Sequence, residues 1–266
     1  FIKYKIDLIP IVDDKKKVTN VYRWFDILNN NYQNHKKIDI PAVIMAGGKG
    51  ERLLPLTEIF PKALIPIDGA PIIKKTIDMF VRYNIKSLYL ILNHKSNLIK
   101  SYLRKIKYDK SINLNYLKET KSLGTAGGLY KIKKYKIENF ILINCDILIN
   151  YDISLIVDFH KKNKNDLTIC VANKKDKIQY GICETDDLNN LKKIIEKPTS
   201  EVNINTGFYI INKSLLNLIL KNKSLNMDKL IERALKNNFK IQTYKIDFYN
   251  WREIGMIKDY LNYLHE

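Results

Sequence analysis

Four short apolar runs constrain this chain most: Ala42 to Met45, Leu88 to Leu92, Phe140 to Ile143 and Leu167 to Val171. None shows helical periodicity, and none alternates with polar residues, which is the pattern of strands buried on both faces. Helical patterns lie between them. Ile73, Ile77, Phe80 and Val81 fall at i, i+4, i+7 and i+8, and 97–107 reads as a second amphipathic helix. Strands alternating with helices predict an α/β fold, a mixed but mainly parallel sheet with helices on both faces. Ile257, Tyr260, Leu261 and Leu264 predict a closing helix. The chain has 266 residues, 45% of them hydrophobic, enough for one sizeable core and a small appendage.

No apolar run approaches the roughly 20 residues that cross a bilayer, and no signal-peptide pattern opens the chain, so a soluble protein with no membrane partner is expected. The chain begins with Phe1 rather than Met, as a fragment of a longer protein would. Lys and Arg number 46 against 28 Asp and Glu, a net charge of +18 that would suit a polyanion. The lysines, however, are scattered among Asn and Ile without an aromatic-studded RNA-binding motif or a helix-turn-helix signature, so nucleic acid is not the expected partner. Small phosphorylated ligands can use the same charge. Cys145, Cys170 and Cys183 are odd in number and lack C-x-x-C spacing, which suggests neither disulfides nor zinc and fits a reducing, cytoplasmic setting. His35, His94, His160 and His265 are isolated and read as surface or core filler rather than metal ligands.

The run Ala42 to Leu53 (AVIMAGGKGERL) carries a buried strand straight into a turn with three glycines, Gly47, Gly48 and Gly50. Without Cβ atoms in the way, the backbone N–H groups from Ala46 onward can converge on phosphate oxygens, with Lys49 and Arg52 supplying charge. A dinucleotide fingerprint starting at Gly48 would put its third glycine at Leu53, and no Gly-Lys-Ser or Gly-Lys-Thr ends a P-loop. What remains is G-G-x-G-x-R-L-x-P-L-T followed by Pro61-Lys62.

With Leu54 to Thr57 and Pro61 to Pro66, this pattern closely resembles the signature of sugar-1-phosphate nucleotidyltransferases. The resemblance implies the Rossmann-like nucleotide-diphospho-sugar transferase fold, a nucleoside triphosphate and a sugar 1-phosphate as partners, and Mg²⁺ as cofactor. It implies that Ala46, Gly47, Gly48 and Gly50 wrap the triphosphate, that Arg52 stabilises departing pyrophosphate and that Lys62 contacts phosphate. Glu119 to Gly128 (ETKSLGTAGG) resembles the base-recognition segment, with Gly124 admitting the base closely. The Glu119 carboxylate can accept from guanine N1–H and N2–H, which favours GTP; it can equally cap the turn that follows or face water. Asp146, just past the Phe140 to Ile143 strand, resembles the first metal ligand, with Cys145 where a glycine is usual. Tyr180-Gly181, Glu196 to Pro198 and Asn205 to Gly207 resemble the family's sugar-side elements, which implies that Gly181 faces the sugar, Glu196 and Asn205 hold its hydroxyls and Lys197 grips its phosphate. Trp251 to Gly255 resembles a W-x-D-I-G element, with Glu253 in place of the second metal-binding acid. The resemblance covers 41–262.

The N-terminal 37 residues differ. Ile9 to Val12, the charged turn Asp13 to Lys17 and Val18 to Leu28 resemble the closing half of a CBS repeat, strand, turn, strand and helix, covering less than one repeat. The expected organisation is therefore a partial CBS-like segment and linker over 1–37 and a catalytic domain over 38–266. That combination is most similar to the guanylyltransferases of bacterial legionaminic acid synthesis, which implies glucosamine 1-phosphate as acceptor. Mannose-1-phosphate and heptose-phosphate guanylyltransferases share the same motifs, and a non-catalytic nucleotide sensor is the competing class. Oligomeric state, including a homo-oligomer, is left open.

Overall fold

The computed structural model describes residues 8–23, 35–258 and 260–261. The chain divides into two compact units, Phe1–Lys36 and Lys37–Glu266, with the boundary one residue before the position expected from sequence. The first unit contains an antiparallel hairpin of β1 (Leu8–Val12) and β2 (Val18–Arg23). Its turn is set by Asp13, whose carboxylate accepts from the amides of Lys15 and Lys17 at 2.9 and 2.8 Å, as Asp does in tight turns. The helix expected to follow, up to Leu28, lies outside the described residues.

The second unit opens with β3 (Ala42–Ala46), the short helix α1 (Leu56–Ile59), α2 (Ile72–Arg82), β4 (Ser87–Leu92), α3 (Ser96–Lys105) and β5 (Asn113–Lys118). The single turn α4 (Gly124–Gly127), β6 (Asn139–Asn144), β7 (Ile147–Ile149), α5 (Ile153–Asn163) and β8 (Leu167–Lys177) follow. A hairpin of β9 (Ile182–Thr185) and β10 (Leu191–Ile195) leads to β11 (Thr199–Asn212), α6 (Met227–Lys236), β12 (Ile241–Asp247) and β13 (Trp251–Glu253). Of the expected closing helix, Tyr260 donates its amide to Met256 at 3.1 Å, and Leu264 lies outside the described residues.

Seven strands form the central sheet in the order β12-β8-β11-β6-β3-β4-β5. Every pairing is parallel except those of β11, which runs antiparallel to both β8 and β6. Successive side chains leave opposite faces, so each apolar run feeds two cores at once. Ile44, Leu90 and Ile143 pack on one face with Ile77 and Phe80 of α2 and Ile156 of α5. Val43, Ile91 and Leu142 pack on the other with Leu230 and Ala234 of α6. A third, smaller cluster joins Leu53, just past the glycine turn, to Ile65, Ile72 and Ile254.

From β3 the chain crosses to β4 and β5 on one side, then returns to place β6 on the other. That reversal makes the carboxyl ends of β3 and β6 a topological switch point, where open α/β sheets leave a crevice for ligands. One strand is longer than expected. β8 continues past Val171 to Lys177 as an exposed ribbon against β11, and its NKKDK extension carries no apolar face from which a strand could be read.

Candidate active site

Met45 and Asn144 are partners in the β3–β6 ladder, and the Cys145 amide donates to the Met45 carbonyl at 3.0 Å. The glycine turn and Asp146 therefore leave the sheet side by side. Gly47, Gly48, Gly50, Arg52, Lys62 and Gly255 line one cleft of about 560 Å³ there. Ala46 is buried at its root as the last residue of β3. The Lys62 ammonium pairs with the Asp146 carboxylate, both side chains being largely buried. Glu253 is brought alongside by the β7–β13 ladder, in which it faces Ile147, and the Ile254 amide donates to the Asp146 carbonyl at 2.9 Å. The Arg52 guanidinium donates to Glu253 at 3.3 Å.

Asp146 immediately before β7 and Glu253 in the neighbouring β13 are thus each paired with a cation that lines the cleft. Their oxygens fit a hard divalent ion such as Mg²⁺, which needs only one or two protein carboxylates when substrate phosphates and water complete its shell. Among the described residues no group of three or more His, Cys, Asp or Glu gathers, so such an ion would depend on phosphate ligands. Cys145, in the position of the usual glycine, is buried, and burial beside Asp146 pushes its thiol up to about 12 against the pull of Lys62. It packs within the core beside the site.

A second hollow of about 250 Å³ lies on the other side of Glu253, lined by Thr125, Asn144, Asn205, Gly207 and Tyr209. Trp251 fixes this wall by donating its indole N–H to the Thr206 carbonyl at 3.1 Å. Of the expected sugar-side residues, Asn205 is here, its side-chain oxygen accepting from the Gly207 amide at 3.1 Å. Gly181, Glu196 and Lys197 are not. They lie exposed at the open end of the β9–β10 hairpin, where Ile182 pairs with Ile195, and line neither hollow. A Cβ on Gly181 would stand 3.0 Å from the Glu196 carboxylate, and the Lys197 ammonium is 3.9 Å from the same group.

Glu119 differs from its expected setting. It follows β5, is only 4% exposed, and its Oε1 has no hydrogen-bond partner. Burial raises its pKa, opposed by the charge of Lys131 and a hydrogen bond from Asn93. Its carboxylate sits behind the glycine turn, within 3.4 Å of where a Gly47 Cβ would be. Gly124 has φ +74°, and a Cβ there would meet the Leu225 carbonyl and the Asn226 side chain. The sequence reading passed over Asn144, Thr125 and Tyr209. Asn144 had a usable signal, two residues before Asp146 at a strand end. His94, read as filler, lines the first cleft.

The switch point of the α/β sheet thus joins a glycine-lined cleft, two carboxylate–cation pairs and a second polar hollow. Residues 41–266 match the Nucleotidyl transferase family, and the chain belongs to it. The mannose-1-phosphate guanyltransferase of Yarrowia lipolytica is 28% identical over 228 residues, covering 83% of this chain and 62% of that protein. The mannose-1-phosphate guanyltransferase of Debaryomyces hansenii is 29% identical with the same coverage. The chain therefore spans 62% of the length of these relatives. Among solved structures, HddC from Yersinia pseudotuberculosis, complexed with GMP-PN, superposes with a TM-score of 0.66 at 23% identity, covering 85% of this chain and 98% of that one. A putative glucose-1-phosphate thymidylyltransferase from Bacillus anthracis gives 0.64 at 19% identity, covering 84% and 93%. Both show the shared fold.

Proposed function

We propose that this protein transfers a nucleotidyl group, GMP by preference, from a nucleoside triphosphate to a hexose 1-phosphate. The observation that carries this reading is the meeting of the glycine turn and Asp146 at one switch point, linked through Lys62. A phosphate monoester has a second pKa of about 6, so its dianion is available near neutrality without a general base. One of its oxygens attacks the α-phosphorus in line; the new O–P bond forms as the bond to pyrophosphate breaks, and the electron pair leaves with pyrophosphate. The amides of Gly47, Gly48 and Gly50 cradle the triphosphate, Arg52 stabilises charge on the leaving group and Lys62 contacts phosphate. Asn205 positions the sugar from the second hollow; Lys197 would align the attacking phosphate, and Gly181 and Glu196 hold the sugar, on a swing of the exposed β9–β10 hairpin toward that hollow. Mg²⁺ held by Asp146 and Glu253 would supply Lewis-acid neutralisation of the phosphates.

Guanine is favoured by the resemblance of the stretch from Glu119 to Gly128 to a base-recognition segment; the unpartnered Glu119 Oε1, buried behind the glycine turn, would have to be uncovered to meet the base. A buried acceptor without a donor costs about 1–3 kcal/mol, and the paired N–H donors of guanine would relieve it. The relatives' printed activity favours mannose 1-phosphate as acceptor. Glucosamine 1-phosphate is the alternative supported by the resemblance of the strand-turn-strand unit to part of a CBS repeat; under this reading that unit is a remnant without a nucleotide pocket of its own. The three free cysteines suit a reducing cytoplasm.

Pyrophosphate release tests the proposal, with ATP, CTP, GTP, UTP and dTTP each paired with mannose, glucosamine, glucose and heptose 1-phosphates. Release with GTP and one of the hexose phosphates is expected. Nucleotide binding without release from any pair would make the protein a sensor and end the proposal.

A further inference from the structure

The glycine turn is braced from behind by two side chains that line neither hollow, Thr57 and Lys95. The Lys95 ammonium donates to the carbonyl of Thr57 at 2.9 Å and to that of Glu58. Both belong to the last turn of α1, whose carbonyls have no intrahelical donor, and a lysine cation is a favourable cap for them. Lys95 does this from φ +47°, a left-handed backbone that L side chains seldom hold unless their surroundings fix it. It is also the N-cap residue that precedes α3.

Thr57 passes the constraint on. Its side chain is nearly fully buried, and its hydroxyl donates to the Gly50 carbonyl at 2.9 Å. Gly50 has φ +74°, and a Cβ there would lie 2.8 Å from the Thr57 methyl and 3.0 Å from Lys62 Cβ. Because a peptide is planar and trans, turning the Gly50 carbonyl back to Thr57 turns the Glu51 N–H the opposite way. A carbonyl oxygen facing a triphosphate would repel it; this one is held behind the turn.

We infer that Lys95 and Thr57 form a latch that presets the glycine turn for a nucleoside triphosphate. They are positioning residues that act through Gly50, and the inference rests on the function proposed above. Lys95 fixes α1, α1 fixes the Thr57 hydroxyl, and the hydroxyl, together with the Leu53 amide at 2.9 Å, fixes the peptide plane at Gly50. The latch serves the nucleotide and not the sugar phosphate, because Asn205 and the second hollow share no contact with it.

The test compares wild type with Lys95→Met, Lys95→Arg, Thr57→Val, Thr57→Ser and the double variant Lys95→Met/Thr57→Val. A non-hydrolysable GTP analogue is titrated calorimetrically, and KM is measured for GTP and for the sugar phosphate. Lys95→Met and Thr57→Val are expected to weaken the analogue and raise KM for GTP about tenfold, as loss of a part-buried charge-assisted or hydroxyl bond does. KM for the sugar phosphate stays near wild type, and Lys95→Arg and Thr57→Ser recover most of the loss. The double variant loses little more than either single one, because both changes cut the same chain of contacts. Should Lys95→Met fail to fold, the isosteric Thr57→Val carries the test. Wild-type affinity in the folded variants, or an equal rise in both KM values, overturns the latch alone. A wild-type protein that binds no nucleotide overturns the proposed function and the latch with it.

Discussion

Arg52 and Lys62 each face a carboxylate of the opposite kind, Glu253 and Asp146, yet the two pairs differ in burial. The Arg52 pair is exposed enough that its contribution to stability is small, so replacing Arg52 should act on chemistry. Arg52→Ala is expected to lower turnover roughly a hundredfold, the usual cost of one charge-stabilising donor, while the melting temperature stays close to wild type; steady-state kinetics and a thermal melt check both. These residues were legible in the sequence because a glycine turn followed by R-L-x-P-L-T and Pro-Lys has few alternative uses. Glu119 was legible as a position and not as an environment. Gly128 and Gly47 stand against its carboxylate, an approach made only in three dimensions. The clustering of Gly181, Glu196 and Lys197 away from both hollows was invisible for the same reason, since adjacency to a signature says nothing about which way a hairpin stands.

At the scale of elements, the glycine turn is anchored by the small cluster of Leu53, Ile65, Ile72 and Ile254 rather than by the main sheet. Leu53 is fully buried and comes from the turn, while Ile254 follows Glu253, so one apolar contact holds both halves of the site. Leu53→Ala is expected to cost about 2–5 kcal/mol in urea unfolding and to raise KM for the nucleotide as well; a cost near zero would show the cluster to be loose. The central strands were readable because apolar runs buried on two faces leave a strong signal, and α2 and α3 because their apolar faces recur at helical spacing. The outer half of β8 and its partner in β11 were not. Their pairing is fixed by backbone register between polar stretches, which composition does not report.

At the scale of the whole molecule, acid stability hinges on a buried histidine far from the chemistry. His160 of α5 holds Thr168 and the Asn139 side chain at 2.9 and 3.1 Å and joins α5 to two strands. Burial pushes its pKa down to about 4 from 6.5, with Asp166 pulling upward and Lys161 downward. The unfolded chain therefore binds this proton below pH 6.5 while the folded one resists it, so its share of stability is complete above pH 6.5 and lost as pH falls toward 4. That share is at most about 3 kcal/mol, from about 1.4 kcal/mol per unit. Glu119, whose pKa is raised by burial, has the opposite sign: its stabilisation is full below 4.5 and declines as pH rises through its folded value. Unfolding free energies between pH 4 and 7 should fall less steeply in His160→Gln than in wild type; parallel curves would remove His160 from this role.

The chain order around β3, which brings its glycine turn and the Asp146 end of β6 to one edge, is the property from which the site follows. A crystal structure with Mg²⁺ and a non-hydrolysable GTP analogue tests that most directly. The account predicts the triphosphate over Gly47, Gly48 and Gly50, with its metal on Asp146 and Glu253 and the guanine edge at Glu119. Nucleotide bound elsewhere, with the Lys62–Asp146 pair undisturbed, would contradict it.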